Sequence, residues 1–147
     1  MDPLNQRPTV EFLILADRAE AVNGKLYMMG GGWDRLNVLD LNQPSNISFA
    51  VSVLIPWIDT NTDHRLTIWV EHEDGTRLQP QIDATMNVGR PPYAIQGQPF
   101  RTLIAINGVW KFPNLGTYRM IASIGESGRK DYVFHVVPAN PIQPPPQ

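Results

Sequence analysis

The residues able to do chemistry are few and scattered. There are three histidines, His64, His72 and His135, and no cysteine. His72 lies in Glu71-His72-Glu73-Asp74-Gly75, a composition that could hold a metal or exchange a proton. The same stretch is also what a solvated hairpin tip looks like. Successive strand residues point to opposite faces, so Glu71 and His72 cannot converge on one ion without a bulge. The hairpin tip is therefore the preferred reading. His64, between Asp63 and Arg65, reads as surface. His135 alternates with Phe134 and Val136 and is placed on an outer face. The pairs Asp34/Asp40 and Asp59/Asp63 could supply the two carboxylates of a glycosidase, but a domain with 14 acidic residues offers such pairs by chance.

Other catalytic patterns are missing. No Gly-x-Ser-x-Gly elbow is present. Gly30-Gly31-Gly32 is followed by Trp33-Asp34, where a phosphate loop needs Gly-Lys-Ser/Thr opening a helix. A cysteine-free chain has no thiol nucleophile, no Cys-ligated zinc and no iron–sulfur cluster. No catalytic residue, metal ligand or cofactor is assigned, and a non-enzyme is expected.

Aromatic residues are the better candidates. Trp57 follows Pro56 in a loop, and Trp69 falls on the Arg/Thr/Glu side of its strand. Trp33 follows the glycine run, and Tyr93 stands in a loop rich in proline and glycine. An outward tryptophan forgoes several kcal/mol of burial at roughly 25 cal/mol per Å2, so it is either covered by loops or marks a contact surface. Trp33, Trp57, Trp69 and Tyr93 are accordingly the candidate ligand- or partner-binding residues.

The elements that would position them are strands. Val10 to Ala16 contains Phe12-Leu13-Ile14-Leu15, apolar in both directions, as in a strand covered on both sides. Asp17 to Ala21 reads as a polar link of about one helical turn. Asn23-Gly24 is a tight-turn pair, and Lys25 to Gly30 a second strand with Leu26 and Met28 on one face, Tyr27 and Met29 on the other. The glycine triplet reads as a bulge leading to an irregular edge segment, Trp33 to Leu41. From Ile47 to Ile55 alternation is clean: Ile47, Phe49, Val51, Val53 and Ile55 inward, Ser48, Ala50 and Ser52 on a half-exposed face. Leu66, Ile68 and Val70 mark the next strand, and Leu78 to Val88 a weaker one with Ile82, Ala84, Met86 and Val88 inward. Strands at Phe100 to Ile106, Tyr118 to Ile124 and Asp131 to Val137 follow, separated by turn residues. In Phe112-Pro113-Asn114-Leu115-Gly116-Thr117-Tyr118 a Pro/Gly turn delivers a tyrosine to the start of a late strand, the sequence form of a tyrosine corner.

About eight strands with no long amphipathic helix predict an all-β antiparallel β-sandwich, with a barrel as the alternative. Residues 1–9 read as an N-terminal arm, 10–137 as the domain, and 138–147 as a proline-rich tail. The formal net charge is −2, with no Lys/Arg cluster to meet a phosphate backbone, so nucleic acid is not expected as a partner. No run approaches the roughly 20 apolar residues of a membrane span, and the N-terminal stretch does not read as a signal peptide, so a cytoplasmic protein is expected.

The residues Leu15, Ala16, Asp17, Gly24, Lys25, Leu26, Gly30, Gly31, Trp33 and Asp34, with the later Phe112-Pro113 and Gly116-Thr117-Tyr118 turn, resemble a family of small uncharacterised bacterial proteins known as a domain of unknown function. The resemblance spans about Val10 to Val137. It implies an all-β sandwich and assigns no activity, ligand or site residue. Function is thus expected to lie in a surface: a non-enzymatic module binding protein, either itself as a homo-oligomer or an assembly partner. A carbohydrate- or small-ligand-binding module is the alternative, and a carboxylate hydrolase built around Asp34–Asp40 or His72 a more distant one.

Overall fold

The computed structural model describes residues 7–126 and 128–139. Among them nine strands follow one another: β1 (Thr9–Val22), β2 (Lys25–Gly31), β3 (Arg35–Val38), β4 (Ser45–Ile55), β5 (Asp63–His72), β6 (Ile82–Asn87), β7 (Phe100–Trp110), β8 (Gly116–Ile124) and β9 (Gly128–Pro138). A 3-10 turn, Trp57–Asp59, follows β4. Two sheets pack face to face, one in the order β2-β1-β4-β7 and the other β3-β9-β8-β5-β6. The pairings are antiparallel except β3 with β9. The protein is an all-β sandwich, as the strand spacing predicts. Most of the arm and tail, residues 1–6 and 140–147, lies outside the described residues.

The core follows from alternation. Leu13, Leu15, Ile47, Phe49, Val51, Val53 and Ile55 of the first sheet meet Leu66, Ile68, Val70, Tyr118, Met120, Ala122, Phe134 and Val136 of the second. Each large apolar side chain removed from water contributes roughly 1.5–3 kcal/mol. Trp110 is fully buried beside Phe49, with ring centroids 6.0 Å apart, and its indole N–H donates to the Pro80 carbonyl at 3.1 Å. Tyr118 is the expected corner: its hydroxyl donates to the Asn114 carbonyl at 2.7 Å, and Phe112 and Phe134 pack on its ring. Burial raises the pKa of this phenol.

Several expectations need correction. Asp17 to Ala21 is no helical turn: β1 runs unbroken to Val22 because Arg18 to Val22 pair with Met29 to Lys25. Trp33 to Leu41 contains a true strand, β3, held by parallel pairing of Arg35–Val38 with His135–Pro138. The stretch from Leu78 is not one strand. Leu78 N–H bonds the Val70 carbonyl, and a regular ladder starts only at Ile82. Within β6 Met86 is buried but Ala84 stays exposed at the sheet edge.

The Ser48, Ala50 and Ser52 face of β4 is buried too. β4 is central, and these small side chains lie in a trough between Phe12 and Ile14 of β1 and Leu103 and Ala105 of β7. Ser52 donates to the Glu11 carboxylate at 2.8 Å, and the Ser48 hydroxyl is shared between Asn107 Oδ1 and the Asp17 carbonyl. The sheet curls at this end, where Asn107 Nδ2 of β7 reaches the Ala19 carbonyl of β1 at 3.3 Å. Phe12 and Ile14 are only half-buried, so the expected cover over both sides of β1 is partial among the described residues.

Candidate interaction surface

The four sequence candidates lie on separate elements. Trp69 is on the outer face of β5, as its alternation places it, yet it is only 7% exposed. The Arg77 guanidinium lies 4.2 Å from its ring centroid, Arg129 approaches at 5.9 Å, and its N–H donates to Glu71 at 3.2 Å. Arg119 bridges Glu71 at 2.8 Å and approaches Asp131 at 3.8 Å, and Asp131 also holds Arg129. On the same face Asp83 accepts from Gln81, Thr67 and Arg65, bonds that hold its carboxyl below the ordinary aspartate range. On the outer face of the five-stranded sheet Arg65, Arg119 and Arg129 thus meet carboxylates of the same chain.

Trp57 is covered in the same manner. Arg90 stacks 3.9 Å from its ring centroid while donating to Thr60 and to the Trp57 carbonyl, and Phe100 stacks on it at 6.0 Å. Trp33 packs against the core, its carbonyl accepts from Tyr132 at 2.7 Å, and its buried Nε1 has no hydrogen-bond partner among the described residues. Tyr93 is 86% exposed in the loop between β6 and β7. No ring contact joins any two of the four among the described residues.

The histidines have local partners. His72 packs edge-on against Tyr118 at 4.9 Å, and its Nδ1 accepts the Asp74 N–H at 3.3 Å. Asp74 in turn accepts the Thr76 N–H, which lowers its pKa. His64 Nε2 meets the Asp59 carbonyl at 2.7 Å, and His135 Nδ1 meets the Thr117 hydroxyl at 3.0 Å. Among the described residues no three His, Asp or Glu side chains are grouped to hold a metal ion. Of the candidate acidic pairs, Asp63 is bonded to Asn87 at 2.9 Å.

The feature that residue types alone did not single out is the β1–β2 hairpin. Asn23 and Gly24 both adopt positive φ (51° and 72°), the geometry of a type I′ turn between paired Val22 and Lys25. Among the described residues β2, beyond this turn, forms one edge of its sheet. Tyr27 and Met29 on one of its faces are 57% and 71% exposed. Opposite them across the ladder stand Glu20 and Arg18, which pair with each other at 2.9 Å. These residues, with Leu26 and Met28, line a groove of about 550 Å3. At the far end Gly30 turns the strand with φ 59°, and Gly32, at φ 85°, donates its N–H to the Leu15 carbonyl at 2.8 Å. The glycine run thus hands the chain to Trp33 and β3. The signal was present as Tyr27-Met28-Met29, but alternation alone does not say that β2 ends its sheet.

A second surface adjoins the first. On the outer face of the four-stranded sheet Phe12 and Ile14 stand beside Ser52 and Ala50, with Leu103 and Ala105 beyond. Its border is the Glu11–Arg101 pair, bonded at 2.6 and 2.7 Å. Those bonds, with the Ser52 hydroxyl, keep the Glu11 carboxyl below the usual glutamate range. No helix among the described residues is long and apolar enough to cross a membrane.

No curated protein matches the chain. A family described as a family of unknown function, DUF6941, matches residues 11–137, which is β1 through nearly all of β9. With that match covering most of its length, the chain belongs to the DUF6941 family of unknown function.

Proposed function

We propose that this protein is a non-enzymatic β-sandwich module that works through its surface, by associating with itself or with another protein of an assembly. One observation carries the reading: the β1–β2 hairpin holds Tyr27 and Met29 in solvent at an open sheet edge. Exposed apolar side chains on an edge strand are what pairing surfaces present and what isolated domains normally suppress. The opposite sheet supports the reading by contrast, because its outer tryptophan is covered and Arg119 and Arg129 already meet carboxylates within the chain. A sugar platform has less support, since arginine occupies one face of both Trp57 and Trp69. Native mass measurement across the micromolar range tests self-association. A concentration-dependent oligomer is expected; a monomer throughout removes self-association.

A further inference from the structure

We propose that β2 is the contact between two copies of this chain, its free edge pairing antiparallel with β2 of a second copy across a two-fold axis at Met28. The proposal rests on the self-association reading and specifies its surface. It starts from the hairpin. In a two-residue type I′ hairpin the flanking pair, here Val22 and Lys25, exchanges both hydrogen bonds. Along β2 the N–H and C=O of Lys25, Tyr27 and Met29 then face β1, and those of Leu26 and Met28 face the open edge. A two-fold at Met28 sets its outward groups against those of the second Met28. Leu26 falls opposite Gly30, whose φ of 59° turns the strand and ends the ladder.

The side chains agree with that register. Tyr27 of one copy falls opposite Met29 of the other, twice, in the non-hydrogen-bonded positions where side chains are nearest. Sulfur against an aromatic ring is a favourable contact. The ladder with β1 sets Arg18 beside Met29 and Glu20 beside Tyr27. Each row across the two copies therefore runs Arg18, Met29, Tyr27, Glu20, with a cation at one end and an anion at the other. Lys25 falls opposite Gly31, which has no side chain to oppose it. A two-fold at Tyr27 instead would set Glu20 at both ends of one row and press Lys25 onto Met29. Its ladder would draw on the same outward groups, Leu26 against Met28, so the side chains decide between the two registers. Because the axis uses the same edge of both copies, the pairing closes at two.

The cysteine-free chain makes the test direct. Met28→Cys places one thiol on the axis, where paired Cα atoms about 5.5 Å apart suit a disulfide. Under mild oxidation it should form a covalent dimer in high yield. Leu26→Cys, about 14 Å from its own copy by strand rise, should not. Met29→Lys should lower the dimer fraction at fixed concentration at least tenfold, with the monomer folded by circular dichroism. A wild-type dimer that Met29→Lys leaves intact, and in which Met28→Cys crosslinks no faster than Leu26→Cys, overturns the β2 contact while leaving self-association standing. A wild-type monomer overturns both.

Discussion

Gly30 meets two demands at once. Its φ of 59° is a conformation that side-chain-bearing residues adopt at a cost, and a Cβ there would run into the Asp17 carboxylate, with the carboxyl carbon at 2.8 Å. Gly30→Ala should lower unfolding free energy by about 1–3 kcal/mol in a denaturant titration. Asp17→Ala in the same chain should restore only the steric part, since the backbone strain persists. Glu11 makes a second prediction. Its folded pKa lies below the unfolded value because Arg101 and Ser52 bond the carboxylate. Its contribution is complete above the ordinary glutamate pKa and disappears as pH falls through the folded value. Stability should therefore decline below about pH 4.3, and Glu11→Gln should flatten that part of the curve. A stability profile of the variant as steep as that of the parent would show the decline to arise elsewhere. At this scale the sequence was partly legible. Residue types matched no familiar catalytic motif, but the arginines that cover Trp57 and Trp69 come from 33 and 8 positions later in the chain, at Arg90 and Arg77.

Among the elements, β4 and the β7–β8 connection show what periodicity can and cannot deliver. The inward set Ile47, Phe49, Val51, Val53 and Ile55 was legible because one face is uniformly apolar. The other face looked half-exposed because serine is polar, yet Ser48 and Ser52 are buried with bonded hydroxyls. Side-chain size, rather than polarity, fits that trough. Strand β3 was unreadable for a different reason: its four residues have little periodicity, and only β9, about a hundred positions away, makes them a strand. The tyrosine corner was legible because a turn residue and an aromatic at fixed spacing carry their own geometry. Tyr118→Phe leaves the Asn114 carbonyl without its donor and should cost about 1–3 kcal/mol in thermal or chemical unfolding, with the fold intact. No loss of stability would mean that water replaces the hydroxyl. The same elements explain the hairpin. Asn107 ties β7 to the Ala19 carbonyl, so Asn107→Ala should speed hydrogen exchange in Ala19 to Met29 ahead of the core strands.

As a whole, the molecule is lopsided in how it meets solvent. Its five-stranded sheet presents a laced network of arginine and carboxylate around a covered tryptophan. Its four-stranded sheet presents half-buried Phe12, Ile14 and Leu103 and, at its edge, the exposed Tyr27 and Met29. The all-β class and most strands were legible from turn residues and alternation. The lopsidedness was not, because it depends on which strand ends a sheet, and sheet order is set by pairings far apart in the chain. An edge that carries apolar side chains and opposite charges in a self-complementary order is the physical basis of the proposal that this protein works by association. Native mass spectrometry of the wild-type chain at micromolar concentration tests that assignment most directly. A species of twice the 16.5 kDa chain mass that dissociates on dilution is expected; the 16.5 kDa monomer alone at every concentration would overturn the proposed association.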